Sequence, residues 1–199
     1  MTTLRHHLVR IIRRSRLFGR AQEAVAAVEF ALVLPVMLTL YLGSAELSQL
    51  INVDQRVNVI AGTVGDLVAR ANGSVTATNL TDYFQAATAI ISPFSTTPLT
   101  QEVTLVYVAS DGTTTVKWSR KPTGVGYTTN ASFASHPLPS TLTNAVKGTT
   151  SPYIVVSEAT YTYTPLLGLF FKNPFTLYHQ NFYLPRYPGI ICYNTTTCT

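Results

Sequence analysis

A chain of 199 residues, 46% hydrophobic and 12% charged, has room for one ordinary domain plus an anchor, which excludes two large domains. Its formal charge of +5 is concentrated in Arg5, Arg10, Arg13, Arg14, Arg16 and Arg20, leaving eight Lys or Arg against nine Asp or Glu in a remainder of formal charge −1. A polyanion-binding domain would carry its basic residues on the folded surface, so no nucleic-acid partner is expected; a basic tail beside an apolar run is what membrane topology requires.

Residues 1–23 read as a basic cytoplasmic leader. From Ala24 to Ala45 the sequence is AVAAVEFALVLPVMLTLYLGSA, with Glu29 as its one charge. As a helix this run is about 33 Å long, enough for a hydrocarbon core of roughly 30 Å with some tilt. The arginines before it place the N-terminus inside and the rest of the chain outside, by the positive-inside rule. Gly43-Ser44-Ala45 has the small residues that a signal peptidase accepts, which is the competing reading. Against it stand the long basic region, Glu29 within the apolar stretch, and a helical pattern that continues past the cut.

That pattern runs through residues 46–71 as an amphipathic stalk. Leu47, Leu50, Ile51, Val57, Ile60, Ala61, Val64, Leu67 and Val68 recur at three- and four-residue spacings. Ala61, Gly65 and Ala69 form a row of small residues that allows close approach of another helix or a sheet, or packing within the same chain. Pro35 removes a backbone donor inside the span, and a local bend is expected there. Glu29 would cost about 2.5 to 3.5 kcal/mol at the centre of a membrane helix. Either it snorkels to the cytoplasmic interface, or it pairs with a cation on a neighbouring subunit or with a new N-terminal amine.

These residues carry a resemblance. Ala26-Ala27-Val28-Glu29-Phe30-Ala31-Leu32-Val33-Leu34-Pro35, with Glu46-Leu47 at the end of the span, resembles the TadE-like family of minor pilin-like proteins of the bacterial tight-adherence (Tad, Flp) pilus machinery. Asp66-Leu67-Val68-Ala69-Arg70 is similar to the end of the stalk helix in some of these proteins. The resemblance covers about the first third of the chain. It implies a single-pass precursor in the bacterial inner membrane, cut by a prepilin peptidase between Ala24 and Val25, so that Glu29 becomes the fifth residue and acts as an assembly glutamate. Ala24 stands where the family usually has glycine. The implied partners are the inner membrane, the prepilin peptidase, other pilin-like subunits and Tad assembly proteins.

Residues 72–199 are expected to form an exported α+β domain. Thr81-Asp82 introduces a short helix from Tyr83 to Ile91, ended by Ser92-Pro93. Strands follow at Glu102 to Ala109 and Thr114 to Arg120, turned by Asp111-Gly112, with Trp118 as a core or cross-strand residue. A loop from Pro122 to Pro152 holds a short helix, Ser140 to Val146, opened by a Ser or Thr cap. Two more strands, Tyr153 to Thr164 and Phe175 to Leu184, are joined by Leu166-Leu167-Gly168-Leu169-Phe170-Phe171, which either caps the core or is an exposed subunit contact. The expected fold is therefore a long N-terminal helix packed on a roughly four-stranded antiparallel sheet, a pilin-like arrangement.

Cys192 and Cys198, the only cysteines, read as a disulfide in an oxidising compartment. His136 and His179 read as half-buried or surface histidines rather than as metal ligands. The sequence has no nucleophile elbow, zinc-protease helix, phosphate loop or dinucleotide fingerprint, so neither catalysis nor a cofactor is expected. The reading is a minor pilin-like component that assists pilus assembly and adherence, in the fibre or as a scaffold in the membrane. The alternatives are an anchored or secreted periplasmic binding or adhesion domain unrelated to pili and, behind it, a small periplasmic enzyme.

Overall fold

The computed structural model describes residues 2–126, 137–166, 168, 172–195 and 198, with side chains from Val25 onward. The chain divides into two compact units, Met1–Ser48 and Gln49–Thr199. The first unit is helical: helix α1, Thr2–Ala69, begins in it and supplies the first element of the second.

The second unit is an α+β fold built on five antiparallel strands. After α1 come β1 (Ser74–Val75), α2 (Ala77–Thr88), a short 3₁₀ turn (Ala89–Ile91), β2 (Leu99–Val108), β3 (Thr114–Lys121), β4 (Gly124–Val125), α3 (Ser140–Val146), β5 (Tyr153–Tyr163), β6 (Phe175–Tyr183) and β7 (Cys192–Tyr193). The main sheet runs β4-β3-β2-β5-β6, and β1 pairs in parallel with β7. Relative to the expected four strands, the extra one is β4, a two-residue edge inside the segment read as a loop. Two residues leave no alternation to detect.

The central strands β2 and β5 are buried on both faces, and their alternation sorts two cores. Val103, Leu105, Val155, Ala159, Tyr161 and Tyr163 pack with Val53, Val57, Ile60, Ala61, Val64 and Val68 of α1. On the other face Val106, Val108, Ile154 and Val156 pack with Val146 of α3. The stripe expected on the helix is buried at Val57, Ile60, Ala61, Val64 and Val68, but Leu67 is only half-buried and the stripe is too broad at its start. Ile51 is half exposed and Val53 is fully buried. At 100° per residue Ile51 lies about 140° around the helix from the Val57–Val64 direction, whereas Val53 lies within about 40° of it.

Local chemistry moves two other boundaries. Helix α2 starts at Ala77, six residues before the expected start, because Thr76 and Asn79 make a reciprocal capping box. Thr76 Oγ1 accepts from the Asn79 amide at 3.1 Å, and Asn79 Oδ1 accepts from the Thr76 amide at 3.2 Å. With asparagine in place of the usual Glu or Gln, the box is easily overlooked. Helix α3 has the expected bounds, but Pro139 stands at its cap position and no side chain caps it. At the β2–β3 turn Gly112 has φ +90°, and Asp111 Oδ1 accepts from the Thr113 amide at 2.8 Å. The Thr113 hydroxyl, which donates to Asp111 Oδ1 at 2.7 Å, and then the amide hold the Asp111 carboxyl below its ordinary pKa.

Candidate functional site: the apolar helix and the groups that fasten α1 to the sheet

The candidate membrane span begins at Val25, and its most apolar stretch is wholly unburied by protein. Phe30, Leu32, Met37, Leu40 and Tyr41 are each more than 60% exposed. An exposed apolar helix of this length is long and apolar enough to cross a membrane. Ala24 and Val25, the candidate cleavage pair, lie within α1; Val25 is 57% exposed, and the Ala24 side chain is outside the described residues. Glu29 is exposed on the same helix, one turn beyond Val25. The helix continues through Pro35, and the hydroxyl of Thr39 donates to the Pro35 carbonyl at 2.5 Å.

In the second unit, α1 is tied to β6 along its length. His179 Nε2 donates to Asp54 Oδ1 at 2.8 Å, and Asn181 Nδ2 donates to the Asn58 side chain at 3.1 Å. Gly65 faces Tyr183, and a Cβ on Gly65 would meet that ring at 2.5 Å. The row of small residues is therefore used for packing a sheet within the chain. Beyond β6, the Arg186 amide donates to the Ala69 carbonyl at 2.8 Å, and the Arg186 guanidinium reaches Asp66. Arg70 and Arg186 both donate to Asp66, Arg70 contributing most, and hold its carboxyl below the ordinary value. On the other side, Arg56 donates to the carbonyls of Ile90 at 2.7 Å and Ser92 at 2.5 Å.

Two carboxylates 56 residues apart in sequence come together in space. Glu102 and Glu158 are directly opposed across β2 and β5, and both are buried. Glu102 accepts from Ser119 Oγ at 2.8 Å and pairs with Lys121 at 3.2 Å. Tyr178 donates to Glu158. Counting alternate residues back from the strand pairing would have put both acids on one face, but the register itself cannot be read from sequence. Among the described residues no three His, Cys, Asp or Glu side chains are grouped to hold a metal ion. His179 is a partner of Asp54, and His136 lies outside the described residues.

Trp118 is half buried and donates from Nε1 to the Ile191 carbonyl at 2.6 Å, which draws the C-terminal segment onto β3. Cys192 is buried, and its Cα is 5.5 Å from that of Cys198, a disulfide distance. Of the apolar connector between β5 and β6, Leu166 is 84% exposed and does not cover the core; Leu167, Leu169, Phe170 and Phe171 lie outside the described residues.

No curated protein and no solved structure matches the chain significantly. The helix from the start of the apolar run to the middle of its sheet-packed part does have a match: residues 24–63 fit the family model described as TadE-like protein.

Proposed function

We propose that this chain is a non-enzymatic, pilin-like component of a Tad-type pilus machinery, held in the bacterial inner membrane by residues 24–45 with its basic N-terminus in the cytoplasm. One observation carries the reading: the TadE-like match coincides with an apolar helix that the protein's own fold leaves uncovered. In this reading a prepilin peptidase cuts between Ala24 and Val25, Pro35 bends the span, and residues 46–71 are the stalk that leads out and packs, from Gln49 on, into one folded unit with the exported residues 72–199. The folded unit lies in the periplasm, where Cys192 and Cys198 form a disulfide.

Glu29 would then be the assembly residue. A carboxylate in hydrocarbon is stabilised by a cation, and the amine of Val25 on a neighbouring subunit supplies one after cleavage. Its partners are other pilin-like subunits and Tad assembly proteins, and the outcome is pilus formation and surface adherence.

The mature N-terminus tests the proposal directly. A start at Val25 supports it, a start at Glu46 indicates secretion, and an intact Met1 leaves a plain anchor. Glu29→Ala should abolish or strongly reduce piliation while leaving the protein in the membrane. Piliation and adherence equal to wild type would remove the assembly role.

A further inference from the structure

Helix α2 and the β3–β4 hairpin border a cleft of about 390 Å³ at the edge of the main sheet, a volume at the small end of the range for ligand sites. All of its groups belong to the unit Gln49–Thr199. One wall is a single face of α2: Ala77, Leu80, Thr81 and Phe84. From Ala77 to Phe84 the helix rises about 10 Å, the length of about three extended residues. The opposite wall is Arg120, Pro122, Gly124 and Val125. Tyr193 stands at the Ala77 end, because the neighbouring Asn194 accepts from the Ala77 amide at 3.0 Å.

A cation and a stretch of main chain give these walls their chemistry. Arg120 is half-buried, with its guanidinium 4.0 Å from the centre of the Tyr193 ring and a bond to the Ser119 carbonyl at 3.2 Å. No acid pairs with it among the described residues. Lys121, which also borders the cleft, is paired with Glu102, and strand alternation puts both on the face opposite Arg120. Asp82, the one acid of α2, lies about 150° around the helix from the wall. As for the main chain, the Gly126 amide donates to the Ser119 carbonyl at 3.2 Å, and Val125 is the partner of Arg120 in the ladder. Alternation of the ladder therefore turns the Val125 N–H and C=O away from β3, toward the edge of the sheet. Gly124 has φ +141° and no described atom within 4 Å of the place a Cβ would take, which lets another backbone come close.

We propose that this cleft binds the C-terminal end of another polypeptide, whose last residues, about three of them, extend along α2 and bond to β4 at Val125 while the terminal carboxylate pairs with Arg120. The guanidinium, held against Tyr193, is a fixed fork that matches the two oxygens of a carboxylate. Apolar side chains of the bound segment lie on Leu80 and Phe84. The shortness of the cleft and the position of Tyr193 and Asn194 at the Arg120 end select a chain end over the middle of a segment.

The test uses the full chain in detergent micelles and fluorescein-labelled hexapeptides of alternating threonine and valine, read by fluorescence anisotropy. The peptide with a free C-terminal carboxylate should bind saturably and about tenfold more tightly than its C-terminal amide, as a charge-assisted pair requires. Arg120→Gln should lower the acid peptide to the level of the amide and leave the amide unchanged, whereas Arg120→Lys, which keeps the charge, should retain part of the preference. N-methylation at one of the last three peptide residues, and not at its neighbours, should weaken acid and amide alike. Equal affinity of acid and amide overturns the inference, as does the absence of saturable binding of the acid peptide up to millimolar concentration. An acid preference that survives Arg120→Gln overturns the role of Arg120, and N-methylation without effect overturns the pairing with β4. An amidated peptide with one internal glutamate that binds as tightly as the acid peptide overturns the choice of a chain end.

Discussion

Gly65 and Asp66 show how adjacent residues on one helix serve different physical ends. A methyl group on Gly65 would strike the Tyr183 ring at 2.5–2.6 Å and the Ser157 Cβ at 3.0 Å, so the ring would have to shift. Gly65→Ala should destabilise the folded unit by about 1–3 kcal/mol, despite alanine's better helix propensity, as read by denaturant unfolding. Asp66, by contrast, acts through charge. Arg70 and Arg186 depress its folded pKa below 3.8, so its contribution is present above that value and is lost as pH falls through the lower folded value. The gap in unfolding midpoint between wild type and Asp66→Asn should stay constant from about pH 7 to pH 5 and close in stronger acid. A gap that persists at the lowest pH would show that packing, and not the ion pairs, sets the role of Asp66.

Among elements, the long ones were legible in the sequence and the short ones were not. Strands β2, β3, β5 and β6 lie within a few residues of their expected bounds, because alternation over eight or more residues outweighs local noise. The two-residue strands β1, β4 and β7 carry no period; β1 and β7 hold each other from far apart in sequence, and β4 merely folds back on the end of β3. The apolar helix was readable by length and composition. The facing of Glu102 and Glu158 required the register. Arg56 stands one residue before Val57 of the apolar stripe, yet it fastens α1 to the turn after α2 through the carbonyls of Ile90 and Ser92, with its guanidinium 5.9 Å from the Phe94 ring. Arg56→Met keeps most of the aliphatic stem but loses both bonds. It should cost about 2–3 kcal/mol, with increased amide exchange concentrated in residues 89–94.

For the whole molecule, each of the two units is stabilised in its own way. Unit Met1–Ser48 has no protein core over its apolar stretch, which is long and apolar enough to cross a membrane. Unit Gln49–Thr199 has two cores separated by a sheet and is closed by its C-terminal segment. Reduction of the Cys192–Cys198 pair should lower the stability of that unit by about 2 kcal/mol, as expected for a loop of six or seven residues. Intact mass under non-reducing conditions, with and without reductant, checks the bond, and the thermal midpoint checks its weight. The parallel pairing of β1 with β7 has a further consequence. Val75 is reached by Tyr193 across more than a hundred residues of chain, and Ile191, fully buried, also supplies the acceptor for Trp118. Under the export proposed above, β1 emerges long before β7, so the first strand and the Trp118 indole wait for residues 191–193 before the unit can close.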